Sequence, residues 1–470
     1  MKIKRILPII IASLSIGMLI GCTDTKSTQV NLLATTDLHG LVPYNMAEYI
    51  KKERENDSNI SLVDAGDFFD SDGDGAMDKY FDDRRDKSET EIVAFENKYV
   101  EFPLANDMRE VGYDAVVLGN HEFVSNNKYH LDNMISDFEK NNIDVLSANT
   151  YKINNENYSK PYTIKEIDTE HGPVKLGILG LTIKEVNEGK TVDKDGNISK
   201  VEKRDLKDME SYAGKLYMND LIDDAKKWTK IMKEQEDTDI IVAVAHSGEK
   251  PKKPKNPGNR IQELAQEVDG IDAIVAGHTH KTFEQHDYKN KSGENVIVTQ
   301  PGKHGESISK ITFDLEKDKD KWIVKDKYAK LTEFEKDKTL DYAYELRNNI
   351  ADIKRETKEI NLKEITPFEW DKAYVFDINT DLEKIYKKVG YKWKSLAEKE
   401  DGYELQMVFM KDEKVVSYLI GDEDTIGISI KFDKSIYKDG IIEIEPNKND
   451  KFSVKKGQEV YETYLTYINK

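Results

Sequence analysis

The sequence predicts an α/β fold followed by a smaller α+β unit, and three observations carry that prediction. Short apolar runs over 30–36, 60–65, 115–118, 240–245 and 273–276 are rich in Val, Ile, Leu and Ala, as strands buried on both faces of a sheet are. Polar stretches with helical spacing lie between them, at 46–55, 129–141, 221–236 and 260–268, and strands alternating with helices place ligands at the C-terminal strand edge. Each run ends in a residue able to hold a metal: Asp37 and His39, Asp67, Asn120, His246, then His278 with His280.

The chain has 470 residues, enough for two or three domains at roughly 100–200 residues each. At its start, Lys2, Lys4 and Arg5 precede an apolar stretch from Ile6 to Ile20 that ends at Gly21-Cys22. That stretch is shorter than the ~20 residues a membrane span needs, so 1–21 reads as a secretory signal peptide. A small residue before the Cys resembles a bacterial lipobox, with Ile20 where a small residue is usual. Cys22 is then the lipid-acylated first residue of an extracytoplasmic, membrane-anchored protein, and the polar stretch 22–29 is its tether. Cys22 is the single cysteine of the chain, so no thiol is left for a disulfide. The formal net charge of −19 repels nucleic acid and argues against duplex binding. A small phosphorylated substrate stays compatible, because bound cations dominate the field inside a metal pocket.

Residues 30–330 form the expected catalytic unit, interrupted by charged surface insertions at 70–87 and 191–206. Asp70, Asp72, Asp74 and Gly75 match the opening of a calcium loop, but its twelfth position is Phe81 rather than Glu, so the stretch reads as a solvated acidic loop. Residues 331–363 are strongly charged with helical spacing at Leu346, Ile350 and Ile353, which predicts a helix linking the two halves. From 364 to 470 the runs 404–410 and 415–420 flank Lys411-Asp412-Glu413-Lys414 as a hairpin. With a helix over 381–389 and strands at 425–432 and 440–444, this makes a small α+β domain of unknown role.

The strand-end residues carry the chemistry. Hard or borderline divalent ions take O and N ligands from separate strand ends. A lone His at such a place is more often a hydrogen-bonded structural residue; seven residues in matching places reverse that expectation. Thr36-Asp37-Leu38-His39-Gly40, Gly66-Asp67, Gly119-Asn120-His121-Glu122, His246-Ser247-Gly248 and Gly277-His278-Thr279-His280 occur in the order and approximate spacing of the calcineurin-like metallophosphoesterases. More narrowly, residues 30 to about 315 resemble the secreted bacterial 5′-nucleotidase and 2′,3′-cyclic-nucleotide 2′-phosphodiesterase group.

That resemblance implies a four-layer α/β/β/α sandwich and two divalent ions, manganese, zinc or iron. Asp37, His39 and His280 would hold one ion; Asn120, His246 and His278 would hold the other; Asp67 would bridge them. A shared carboxylate keeps two ions ~3.5–4 Å apart, where water ionises near neutral pH and attacks phosphorus in line. His121 would stabilise the transferring phosphoryl group or protonate the leaving alkoxide. In the nucleotidase branch an Asp usually follows and orients this His. Val124 stands there, as fits the cyclic phosphodiesterase branch, with Asn126 or Asn127 as alternative partners.

The substrate implied is a nucleotide or cyclic nucleotide. Rival readings are a phosphatase or pyrophosphatase for another small phosphorylated molecule, such as a nucleotide sugar, and a non-catalytic binding lipoprotein. The Asn-Asn-Gly-Gly-Ile-Arg-like stretch of the resembling enzymes is missing. Trp370, Tyr374, Phe376, Tyr391 and Trp393 could stack on a base, although aromatics this dense usually build a core. The Lys-rich stretch 249–260 reads as a solvated loop, and His130, His171, His286 and His304 as surface or supporting residues, with His304 set apart because Gln300-Pro301-Gly302 follows the apolar run Val296–Val298 and resembles a family loop near the site.

Overall fold

Both faces of each apolar run find an apolar partner, and this fixes the layering. In chain order the strands of the larger unit are β1 (Ser27–Thr35), β2 (Ser61–Asp64), β3 (Ala115–Val117), β4 (Asp144–Leu146), β5 (Tyr162–Ile167), β6 (Val174–Thr182), β7 (Ile240–His246), β8 (Ala273–Ala276), β9 (Thr282–Lys289), β10 (Asn295–Pro301), β11 (Ser307–Asp318) and β12 (Lys321–Glu333). One sheet runs β12-β11-β1-β2-β3-β4 and the other β9-β10-β8-β7-β6-β5. In the first, β1 to β4 are mutually parallel. In the second, β6, β7, β8 and β10 are. The computed structural model describes residues 26–40, 42–69, 102–192, 198–250, 257–335, 338–391, 405–421, 428–457 and 462–468. The signal peptide, Cys22, the acidic stretch 70–87 with its calcium-loop match, and Trp393 lie outside them.

Val30, Leu32 and Ala34 of β1 meet Leu176 and Ile178 of β6 and Ile240, Val242 and Val244 of β7 between the two sheets. The alternate residues point the other way. Leu33 and Leu62 pack on the helices α1 (Tyr44–Asn56), α2 (Pro103–Val111) and, beyond the short α3 (Asn120–Val124), α4 (Lys128–Lys140). Ile241, Ala243 and Ala245 pack on α5 (Leu221–Glu234) and α6 (Ile261–Glu267). The result is the four-layer α/β/β/α order. Burying each Val, Leu or Ile contributes about 1.5–3 kcal/mol, so the inter-sheet layer holds the sandwich together.

At one edge the sheets are also joined by a buried polar buckle. The Thr182 hydroxyl, at the end of β6, donates to Leu118 O at 2.7 Å and lies 2.7 Å from Ser147 Oγ. Asn149 pairs with the Thr182 backbone in both directions: its Nδ2 donates to Thr182 O at 2.8 Å and its Oδ1 accepts from Thr182 N at 2.9 Å. Ser147, Asn149 and Thr182 are all fully buried. The next N–H, of Ile183, donates to His246 O at 3.0 Å.

Two expectations change. The insertion at 191–206 is largely a hairpin, with strands Asn187–Val192 and Ile198–Arg204 paired antiparallel, and Leu206 at its end is buried in the core. The linker helix is shorter than the range 331–363. β12 runs on to Glu333, and the helix α7 spans Thr339–Ala351. Nor is it a spacer: Leu346, Ile350 and Ile353 pack with Leu362, Trp370, Val375 and Phe409 in the C-terminal core. An apolar stripe at that spacing needs an apolar partner, and the C-terminal sheet supplies it.

That unit holds two four-stranded sheets and the helix α8 (Leu382–Val389). The hairpin of strands Leu405–Lys411 and Lys414–Gly421 turns through Asp412 and Glu413 with φ of 48° and 64°, the positive values of a type I′ turn. Trp370, Tyr374 and Phe376 are core residues. Tyr391 instead stacks on Tyr44 at the start of α1, ring centroids 4.0 Å apart.

Candidate metal centre

The seven residues lie at the C-terminal ends of β1, β2, β3, β7 and β8, at the common edge of the sheets. The backbone there is unusual. Asp37, His39, Asp67, His278 and His280 have φ between 48° and 68°, a left-handed conformation that costs a non-glycine residue about 1–2 kcal/mol. Backbone hydrogen bonds hold the loops in it: Asp37 N donates to Gly66 O, His39 N to Asp67 O and Gly277 N to Ser247 O, at 2.9, 3.0 and 3.1 Å. Two glycines allow the close approach. A Cβ on Gly119 would come within 2.5 Å of Asp67 N, and one on Gly277 would land on the Thr36 hydroxyl.

The side chains converge in two groups, Asp37 with His39 and His280, and Asp67 with His246 and His278; within each the ligand atoms lie within 4.8 Å of one another. His39 Nε2 is 3.2 Å from His280 Nε2, which is 3.4 Å from Asp37 Oδ1. His246 Nε2 is 3.1 Å from both Asp67 Oδ2 and Asn120 Oδ1, and Asn120 Oδ1 is 2.8 Å from His278 Nδ1. Ligands about 2.1 Å from an ion in tetrahedral array sit about 3.4 Å apart. His278 N donates to Asp37 Oδ2 at 3.0 Å, tying the groups together.

Two observations say that these residues fit a cation. Asp37 Oδ1 is buried and has no hydrogen-bond donor, a costly state for a carboxylate oxygen unless positive charge reaches it. His246 Nδ1 lies 2.8 Å from Ala65 O, and a carbonyl only accepts, so Nδ1 carries the proton and Nε2 of the neutral ring aims its lone pair at two oxygens. That arrangement is repulsive without a cation among them. Without the ion a proton takes its place: burial pulls His246 down, but the Asp67 carboxylate outweighs burial and pushes it up to about 10. Burial would raise Asp67, yet His246 and His121 hold it well below the usual carboxylate range. Burial, with charged His246 nearby, brings His278 down to about 4, leaving it in the neutral form that ligates metals.

Glu122 is the residue that sequence reasoning left without a role. Fully buried, its carboxylate accepts from Gly119 N at 2.6 Å, Asp67 N at 3.0 Å and Phe69 N at 2.9 Å, so one side chain locks the Asp67 and Asn120 loops together. Burial and the Asp67 charge push it up to about 8, against charged His246 and the Gly119 and Asp67 N–H donors. The spacing Gly119-x-x-Glu122 is the available signal, a helix N-cap whose N–H is met by an acid three residues on.

His121 stands at the mouth of the site. Its Nε2 is 4.0 Å from Asp67 Oδ2 and its side chain is 35 % exposed, and its ring meets that of His39 edge-on at 4.8 Å. Val124 is exposed. Neither asparagine serves in place of the expected Asp: Asn126 Nδ2 donates to Glu122 O, and Asn127 Oδ1 caps α4 by accepting from His130 N. Arg260 is engaged with Asp220 and Glu263, and 251–256 lie outside the described residues. His286 and Tyr288 both bond Glu249. His304, read as peripheral, has its ring 5.2 Å from that of His39 and 6.5 Å from that of His280.

A double sheet whose ligand-bearing loops meet at one edge defines a metallophosphoesterase, and the chain belongs to the calcineurin-like phosphoesterase family, which it matches over residues 30–282. The trifunctional nucleotide phosphoesterase protein YfkN of Bacillus subtilis (strain 168) is 30% identical over 361 residues, 69% of this chain and 22% of that protein. The 2′,3′-cyclic-nucleotide 2′-phosphodiesterase/3′-nucleotidase of Salmonella typhimurium is 25% identical over 236 residues, 47% of this chain and 33% of that one. The chain thus spans a third or less of the length of these two relatives. The crystal structure of the calcineurin-like phosphoesterase YfkN from Bacillus subtilis superposes with a TM-score of 0.52 at 25% identity, covering 66% of this chain and 91% of that one.

Proposed function

We propose that the protein is an extracytoplasmic phosphoesterase, anchored through Cys22, that hydrolyses phosphate esters of nucleotides or 2′,3′-cyclic nucleotides at two divalent ions. The observation that carries this reading is the convergence of seven ligand side chains from two sheets, with the His246 lone pair facing two oxygens. Relatives named as nucleotide phosphoesterases and cyclic-nucleotide phosphodiesterases support the substrate class. Among the described residues no helix is long and apolar enough to cross a membrane.

Asp37, His39 and His280 would hold one ion, and Asn120, His246 and His278 the other, with the Asp67 carboxylate as the expected shared ligand. Bound there, the ions supply Lewis acidity for the phosphoryl oxygens and a nucleophile at neutral pH. The chain does the rest. Glu122 fixes the Asp67 and Asn120 loops, which preorganises the site before substrate arrives. His121, half-exposed beside Asp67, is placed to donate a proton to the leaving oxygen. Exposed Val124 stands where the nucleotidase branch carries an Asp. Three His beside carboxylates suit manganese, zinc or iron alike.

The test is phosphate release from 2′,3′-cyclic AMP, 5′-AMP and an aryl phosphodiester by the purified protein after loading with manganese or zinc. Metal-dependent turnover that Asp67→Ala abolishes is the expected result, and the substrate ranking selects between nucleotidase and phosphodiesterase. A protein that binds two ions and turns over none of these substrates would be a binding protein instead.

A further inference from the structure

The left-handed backbone that marks five of the seven ligand residues also marks His304, with φ of 50°. The other described non-glycine residues with positive φ, such as Asn142, Asn155, Asp237 and Lys319, are exposed, as His304 is. His304 is different, because its loop is stitched to both ligand loops of the first group. Gly302 N donates to Lys281 O, next to His280, at 3.0 Å, and His304 N donates to Asp37 O at 2.8 Å. Gly305 wedges the loop against Pro43, where an added Cβ would come within 2.7 Å of Pro43 Cδ. Strain that the surroundings over-determine in this way is found where a side chain must be aimed.

The ring so aimed borders the first group without entering it. It is tilted 43° to His39 at 5.2 Å, it is exposed, and it does not belong to the set of close ligand atoms formed by Asp37, His39 and His280. Its loop leaves β10, which lies parallel beside β8, so it reaches the same edge as His278 and His280. An exposed imidazole there can donate a hydrogen bond to an oxyanion lodged between it and His39.

We propose that His304 is a substrate-binding residue, its imidazole donating to a non-bridging oxygen of the phosphate group on the open side of the Asp37, His39 and His280 group. This deepens the reading of the protein as a phosphoesterase and names the residue that grips the phosphate apart from the ions. A hydrogen bond to a charged oxygen carries roughly tenfold or more in affinity.

The experiment uses the full chain loaded with manganese, with inorganic phosphate as the probe, and compares wild type with His304→Ala and His304→Asn. Calorimetric phosphate affinity falls roughly tenfold or more in His304→Ala while metal content and melting temperature hold. His304→Asn, which tolerates positive φ and keeps an N–H donor, recovers part of the loss. Where turnover is measurable, KM rises by the same factor and kcat changes little. Unchanged phosphate affinity in His304→Ala, or loss of bound manganese, would overturn the proposal. Phosphate binding needs no turnover, so failure of the phosphoesterase reading with a His304-dependent affinity remains distinguishable from failure of this one.

Discussion

Replacing Thr182 by Val keeps the shape of the side chain and removes the hydroxyl that ties Leu118, two residues before Asn120, to the end of β6. Leu118 O loses a donor at 2.7 Å and Ser147 Oγ loses a partner at the same distance, in a place with no solvent exposure. An unsatisfied buried acceptor costs about 1–3 kcal/mol. For a unit of about 300 residues, unfolding entropy near 2.1 cal/mol/K per residue converts a 2 kcal/mol loss into about 3 °C of Tm. The same change loosens Asn120 against His246, whose carbonyl is held by the neighbouring Ile183 N–H. Scanning calorimetry and manganese titration of Thr182→Val should therefore show both the lower Tm and weaker binding of one ion out of two. Thr182→Ser should restore both. A Val variant that melts within about 1 °C of wild type and binds both ions with wild-type affinity would refute the buckle as a positioning device.

Four further outcomes follow from the geometry. His121→Ala should retain both ions, since its imidazole is outside both groups, and lose about 10²–10⁴ in kcat, checked by steady-state kinetics with metal analysis. Gly119→Ala drives a methyl group into Asp67 N and should abolish tight binding of manganese, read by calorimetry. Chelation should lower Tm by about 4 °C if free metal had stood near a hundred times Kd, a stabilisation of about 2.7 kcal/mol. Burial raises Asp64 from 3.8 to about 7, so the folded metal-free protein binds this proton more tightly than the unfolded chain. Its stability then falls as pH rises from about 4 to 7, and Asp64→Asn should flatten that part of the pH–stability curve measured by denaturant melts.

The layered fold was legible because runs such as Ile240–Ala245 are apolar on both faces, which only a doubly covered sheet satisfies. The seven strand-end residues stand out in the sequence because each follows an apolar run and their motifs resemble, in order and spacing, those of the calcineurin-like metallophosphoesterases. What stayed hidden acts through the backbone. Glu122 grips Asp67 N from 55 positions away, and Thr182 reaches Leu118 O across 64; no local pattern announces such partners. For His304 the sequence offers only the likeness of Gln300-Pro301-Gly302 to a family loop near the site; that its backbone bonds to Asp37 O is not readable there. The helix at 339–351 was misread as a linker because an apolar stripe says that a face is covered but not by what.

His39 and His280, 241 residues apart, come from opposite sheets, as do Asp67 and His246. An ion held between such pairs would be a clamp across the sandwich, in the place where a protein of other composition would set a disulfide. The two devices differ in what they do to the unfolded chain. A disulfide restrains it permanently, whereas an ion lets go, so the clamp acts on the native state alone and its strength follows free metal concentration. A chain with a single cysteine cannot mispair thiols within itself, and its resistance to proteolysis would become a function of how much metal the surroundings supply.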